Sequence, residues 1–149
     1  MLTEAVFDEV PGFYVANSTQ QVVVVDESPT QLSLYERSIA SLEVELSSFK
    51  TSDEALEYLG ANPADLLFLD LAMTGADGLT FLREFRGLNG HETTQVVVVT
   101  SKDYAQDRIL AKELGALDYL VKPLRSQEIR EIICKYTDAQ PPASDIADS

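Results

Sequence analysis

The chain has 149 residues, the length of one ordinary domain and too short for two. Hydrophobic residues make up 45% and charged residues 24%, the range of chains that bury a core without staples. Eleven basic against 25 acidic side chains give a net charge of −14, which repels phosphate backbones and argues against direct nucleic-acid binding. The lone cysteine, Cys134, excludes an internal disulfide and fits a reducing compartment. No apolar run approaches the roughly 20 residues of a membrane span, and residues 1–20 hold no Lys or Arg and no continuous apolar stretch of a signal peptide. The expectation is a soluble, cytoplasmic protein of one domain.

In chain order, residues 1–20 carry Glu4, Asp8 and Glu9 and read as a frayed extension, although Val6, Phe7, Val10, Phe13 and Tyr14 could dock somewhere. The first apolar run is Val22–Val25. Behind it, Ser28 and Gln31 form a capping-box pattern with Pro29 at the first helical position, and Leu32, Tyr35, Ile39 and Leu42 follow at helical spacing. A weaker run, Val44–Phe49, precedes the stripe Ala55, Leu56 and Leu59. Leu66–Leu69 precedes Leu79, Leu82 and Phe85, with Asp77 as the expected cap at Asp77-Gly78. Val96–Val99 precedes Ile109, Leu110 and Leu114; Tyr119–Val121 precedes Ile129, Ile132, Ile133 and Tyr136. Gly60, Gly87 and Gly115 stand where helices should stop.

Continuous Val/Leu runs mark strands buried on both faces. Five strand–helix pairs joined by right-handed crossovers give an α/β, doubly wound (βα)5 three-layer sandwich over residues 21–136. Residues 137–149 (TDAQPPASDIADS), with three Asp, a Pro-Pro pair and no basic residue, read as a disordered acidic tail.

In such a sheet, ligands sit at the carboxyl ends of the strands, near the point where strand order reverses. The residues there are Asp26 and Glu27, Asp70, Thr100 and Ser101, and Lys122-Pro123. Each alone has an ordinary structural explanation. Together they bring three carboxylates, hydroxyls and one ammonium to one edge. Neighbouring carboxylates raise one another's pKa unless a cation neutralises them, and oxygen donors suit a hard divalent ion, above all Mg²⁺. A carboxylate nucleophile, a metal, and donors from Thr100 and Lys122 suit phosphoryl transfer onto Asp70.

The pattern Val-Val-Val-Val-Asp26-Glu27-Ser28-Pro29, Leu69-Asp70-Leu71-Ala72-Met73 with Asp77-Gly78, Val-Thr100-Ser101 and Tyr119-Leu120-Val121-Lys122-Pro123 resembles the receiver domain of two-component response regulators, of the chemotaxis single-domain type. The resemblance spans about residues 20–136 and implies a five-stranded parallel sheet of order 2-1-3-4-5. It implies that Asp70 is the phosphoacceptor. Glu27, Asp70 and the Ala72 carbonyl would hold Mg²⁺, with Asp26 assisting. Thr100 and Lys122 would contact the phosphoryl group, Tyr119 would be the aromatic switch, and Lys122-Pro123 would be cis. Thr74 stands where the family usually has Pro, and Glu27 is longer than the common Asp.

The implied partners are a histidine kinase or histidine phosphotransfer protein upstream, and a protein target on the face of the fourth helix, fifth strand and fifth helix. The chain would be a monomer or a phosphorylation-promoted dimer. It would be no enzyme beyond Mg²⁺-dependent self-phosphorylation and self-dephosphorylation. The competing readings are a phosphorylation-independent binding module, a receiver cut from a larger regulator, and a metal-dependent phosphatase or hydrolase. The last would need an acid/base two residues after Asp70, where Ala72 stands. His91, in Asn89-Gly90-His91-Glu92, reads as a surface residue, and Cys134 reads as a packed, inert thiol.

Overall fold

Unbroken Val and Leu runs have two apolar faces, which only a sheet covered on both sides hides from water. The computed structural model describes residues 19–73 and 78–139. Its strands are β1 (Gln20–Val25), β2 (Val44–Phe49), β3 (Leu66–Asp70), β4 (Gln95–Thr100) and β5 (Asp118–Val121). Its helices are α1 (Pro29–Ile39), α2 (Ser52–Leu59), α3 (Gly78–Arg86), α4 (Ala105–Glu113) and α5 (Ser126–Tyr136). All strand pairs are parallel, in the order β2-β1-β3-β4-β5. This is the doubly wound α/β sandwich expected from the alternation. Thr74, the Asp77 cap, nearly all of the 1–20 extension and most of the 137–149 tail lie outside the described residues.

Alternate strand residues feed two cores. Val22, Val24, Leu66, Phe68, Val97 and Val99 pack on one face under α1 and α5, through Leu32, Tyr35, Ile129 and Ile133. Val23, Val25, Leu67, Leu69, Val96 and Val98 pack on the other under α2, α3 and α4, through Ala55, Leu59, Phe81, Phe85 and Ala111. Each such side chain contributes about 1.5–3 kcal/mol on burial. The central strands β1, β3 and β4 are therefore the rigid part, and the residues that follow them inherit that rigidity.

Three local expectations need correction. The Ser28 hydroxyl accepts from the Gln31 amide at 3.2 Å, as the capping pattern requires, but the reciprocal half is taken by Asp26, whose Oδ1 accepts from the Ser28 amide at 2.9 Å. In α4 the buried residue is Ala111, while Ile109 is 58% exposed. The helix meets the core through Ala111, with Leu114 packed beyond its end, and the isoleucine turns out to solvent.

His91 is the third correction: it is buried, with 3% of its surface exposed. Its Nε2 lies 2.6 Å from the Leu59 carbonyl and its Nδ1 2.9 Å from the Thr94 hydroxyl, which is also 2.7 Å from the Ala64 carbonyl. The Phe85 ring packs 4.9 Å away. Polar neighbours in sequence hid this, because beyond the nearby Thr94 the imidazole meets Leu59 at the end of α2 and Phe85 in α3, and Ala64 before β3 holds the Thr94 hydroxyl in place. His91→Ala strands the Leu59 carbonyl and opens a void. It is expected to lower stability by about 2–4 kcal/mol in urea unfolding. Chemistry at the opposite, carboxyl edge of the sheet should be unchanged.

Candidate functional site

In-register parallel pairing sets the last residues of the strands in a row. Val25 pairs with Leu69, so Asp26 and Asp70 emerge side by side at the reversal of strand order between β1 and β3. Thr100 pairs with Val121, and the Lys122 amide donates to the Thr100 carbonyl at 2.8 Å, which starts Lys122 on its way back across the edge. The Lys122-Pro123 peptide is cis.

The Lys122 ammonium sits between two carboxylates, 2.8 Å from Asp26 Oδ2 and 3.2 Å from Asp70 Oδ2. Asp26 and Asp70 are both buried, at 1% and 6% exposure. Burial, opposed by Lys122 and the Ser28 amide, leaves the Asp26 carboxyl above its ordinary value. Burial pulls the Lys122 ammonium down, but its attraction to the Asp26 and Asp70 carboxylates outweighs this and holds it above the ordinary lysine value. The cluster therefore stays cationic at its centre at neutral pH, with Asp26 as its least comfortable charge.

Asp70 is also oriented from below: its Oδ1 accepts from the Ala72 amide at 2.9 Å. Glu27 and Ala72 are exposed at the mouth of the site. Among the described residues, no three acidic, His or Cys side chains converge as a metal-holding group; the carboxylates brought together are those of Asp26 and Asp70. The donor chemistry nevertheless fits a hard cation. Asp26 Oδ2 is shielded from water and meets the Lys122 charge without hydrogen-bonding geometry, so a buried anionic oxygen is open to a second positive partner.

Thr100 is buried, and its hydroxyl donates to the Lys102 carbonyl and accepts from the Lys102 amide, both at 3.1 Å. It is thus turned into its own loop rather than toward Asp70. Tyr119 is half-buried, with the Arg108 guanidinium 4.5 Å above its ring. Cys134 packs against the α1–α5 core, and burial pushes its thiol up, as suits an inert thiol.

Two contributors carried no readable signal. Gly78 opens α3 against the backbone that follows Asp70: a Cβ there would lie 2.5 Å from Leu71 Cα and 3.1 Å from the Asp70 carbonyl oxygen. The sequence marks it only as a helix start, since the close approach depends on how α3 docks. The other is Arg108, whose partners Asp103 and Tyr119 come from a loop and a different strand.

An open parallel sheet whose reversal point holds a paired-carboxylate and lysine cluster is the architecture of phosphoacceptor signalling domains. A family model, the response regulator receiver domain, matches residues 22–134. The chain belongs to this family, and it is a receiver domain of two-component response regulators. It is 34% identical over 111 residues to the cyclic di-GMP phosphodiesterase response regulator RpfG of Xanthomonas campestris, covering 73% of this chain and 29% of that protein. It is 31% identical over 115 residues to the transcriptional regulatory protein BaeR of Escherichia coli, covering 77% and 47%. The chain thus spans less than half the length of these relatives. Among solved structures, a response regulator from Thermotoga maritima superposes with a TM-score of 0.72 at 26% identity, covering 81% of this chain and 99% of that one. A CheY-like receiver domain from Methanospirillum hungatei shares the fold, with a TM-score of 0.74 at 18% identity over 81% and 95%. No helix of the described residues is long and apolar enough to cross a membrane.

Proposed function

We propose that this chain is a phosphorylation-dependent switch whose phosphoacceptor is Asp70. The observation that carries the reading is the Lys122 ammonium held between Asp26 and Asp70 at the reversal point of the sheet. A phosphohistidine on a kinase or phosphotransfer protein is the donor. Its N–P bond breaks as an Asp70 carboxylate oxygen forms the new O–P bond, and the electron pair stays with the imidazole nitrogen. Asp26, Asp70 and the Ala72 carbonyl, with Glu27 at the mouth, would hold Mg²⁺, which when bound spreads the charge of the phosphoryl oxygens. Lys122 and Thr100 read the product. Lys122 is already within reach, and Thr100 exchanges its Lys102 contacts for the new anion.

The test is incubation with a small acyl phosphate and Mg²⁺. One phosphoryl mass, stable in acid and labile in base, should map to Asp70; a map to any other residue sinks the assignment.

The output surface is the side of α4, β5 and α5. Tyr104, Ile109, Leu117 and Val121 are all exposed there. Seven of the eleven basic residues also fall in residues 100–136: Lys102, Arg108, Lys112, Lys122, Arg125, Arg130 and Lys135. Six acidic residues in the same stretch, Asp103, Asp107, Glu113, Asp118, Glu128 and Glu131, leave it near neutral on an otherwise acidic protein, and its exposed apolar groups suit a protein partner with an apolar contact segment. The cytoplasm, where such kinases present their phosphohistidine, is the proposed location, and the chain acts as a monomer or a phosphorylation-promoted dimer. Amide shifts on adding beryllofluoride should cluster in residues 100–125; shifts confined to residues 26–73 would break the route to this face.

Lifetime follows from two positions. Water attacking an acyl phosphate in line needs a group to orient it. The residues flanking that path, Ala72 and Lys102, are both exposed. Ala72 has no side-chain donor or acceptor, and the Lys102 ammonium cannot accept a proton from water. Phospho-Asp70 is expected to decay slowly, and a chain carrying Ala72→Asn and Lys102→Glu to lose it about tenfold faster. Equal decay would show that another group positions the water.

A further inference from the structure

One guanidinium joins three parts of the molecule that the switch must move. Asp103 lies in the loop that follows Thr100, Arg108 lies in the first turns of α4, and Tyr119 lies on β5. Arg108 makes two bonds to Asp103, Nε to Oδ1 at 2.6 Å and Nη2 to Oδ2 at 3.0 Å. The same plane covers the Tyr119 ring, with its central carbon 4.5 Å from the ring centroid. The two bonds to the carboxylate thus orient the guanidinium that lies over the ring.

The polar end of Tyr119 does not hold it. Its hydroxyl is shielded from water and meets the Tyr104 backbone without the geometry of a well-formed hydrogen bond. The ring packs in part against the core that includes Ala111, but a cleft of about 300 Å³ opens beside it, lined by Arg108, Ala111, Leu117 and Tyr119 among others. What faces the ring is the arginine. We propose that the Asp103–Arg108 pair is a latch on Tyr119, and that Asp103 and Arg108 are positioning residues that set how readily the switch turns. The proposal rests on the reading of Tyr119 as the ring that answers Asp70.

The latch is placed to be released from the site. Thr100 holds the Lys102 backbone through both of its hydroxyl bonds, and Asp103 is the next residue. When Thr100 turns to an anion on Asp70, those bonds break and the loop that carries Asp103 is freed. The carboxylate then no longer fixes the guanidinium, and the ring can change place. A lysine at 108 could not replace the arginine, because an ammonium cannot bind a carboxylate bidentately while stacking flat on a ring.

The test uses the full chain with fluorotyrosine incorporated at its six tyrosines, with the Tyr119 signal assigned from Tyr119→Phe. Without any ligand, Arg108→Gln, Arg108→Lys and Asp103→Asn should each move the Tyr119 signal toward the position that beryllofluoride produces in the native chain. The buried Tyr35 signal should stay in place, which shows that the fold is intact. The variants should also bind beryllofluoride about fivefold more tightly, because less of the population is held in the latched state. An unmoved Tyr119 signal in Arg108→Gln overturns the latch. A signal moved by Arg108→Gln but not by Asp103→Asn also overturns it, because stacking alone would then hold the ring. If beryllofluoride leaves the native ring still while all three variants shift it, the latch stands and the link from Asp70 to Tyr119 is what fails.

Discussion

Asp70→Asn is expected to take up no phosphoryl group, a loss of at least about a hundredfold in the rate of acyl-phosphate labelling. The substitution keeps the size of the side chain and leaves an oxygen to accept from the Ala72 amide, so the loop after β3 should hold its shape. It removes the anionic nucleophile. Two consequences separate this from unfolding. Asp70 is one of the charges that raise the Asp26 carboxyl, so Asp26 should titrate lower in the variant. Mg²⁺ titration should weaken as well, because one of the two buried carboxylates that meet at the site is gone. Unchanged metal binding together with normal labelling would refute the site as described.

Lys122→Ala is expected to behave in the opposite way: labelled, yet without response. The nucleophile and the acidic oxygens remain, while the ammonium that would pair with the phosphoryl group is lost. By the beryllofluoride shifts in residues 100–125, the conformational change should fall several-fold.

Stability should change too, and with a definite sign in pH. In the native chain the Lys122 value is raised, so its contribution is complete below the ordinary lysine value of 10.5 and is lost as pH climbs through the higher folded value. Asp26 works against folding at neutral pH. Its folded value lies above 3.8, so the native state binds that proton more tightly than the unfolded chain and gains stability as pH falls through the folded value. Removing Lys122 deletes the strongest group that opposes this. The variant should be about 1–2 kcal/mol less stable at pH 7, less than a fully buried pair would cost because the ammonium keeps one side to water. Much of that loss should return on acidification through the raised Asp26 value. A stability–pH profile parallel to that of the native chain would show that Lys122 does not compensate Asp26.

Five apolar runs separated by helical stripes were enough to place five strands and five helices, because each depends on contacts within a few residues or on burial that every run demands alike. The same reasoning located Asp26, Asp70, Thr100 and Lys122 at one edge: a residue that follows a buried strand in a parallel sheet has nowhere else to be. Distances were beyond it. That Lys122 bridges Asp26 and Asp70, while Glu27 stands exposed at the mouth, depends on how the loop after β5 returns across the edge.

Tertiary structure decided everything that required partners from distant segments. His91 looks solvated among Asn89, Gly90 and Glu92, yet it is buried because Leu59, Ala64, Phe85 and Thr94 converge on it. Ile109 fits an apolar stripe but faces water, since α4 meets the core through Ala111. Gly78 is a helix start by sequence and a contact with the Leu71 backbone in space. Asp103 and Arg108 carry no signal in the sequence, and only packing brings Tyr119 of β5 beneath the Arg108 guanidinium. Local periodicity therefore determined the elements and the edge where the chemistry sits, because backbone propensity and burial act along the chain. Which charges are paired, which ring is covered and which hydroxyl is turned away were settled only when the elements packed, because those energies belong to contacts between segments and leave no periodic trace in any one of them.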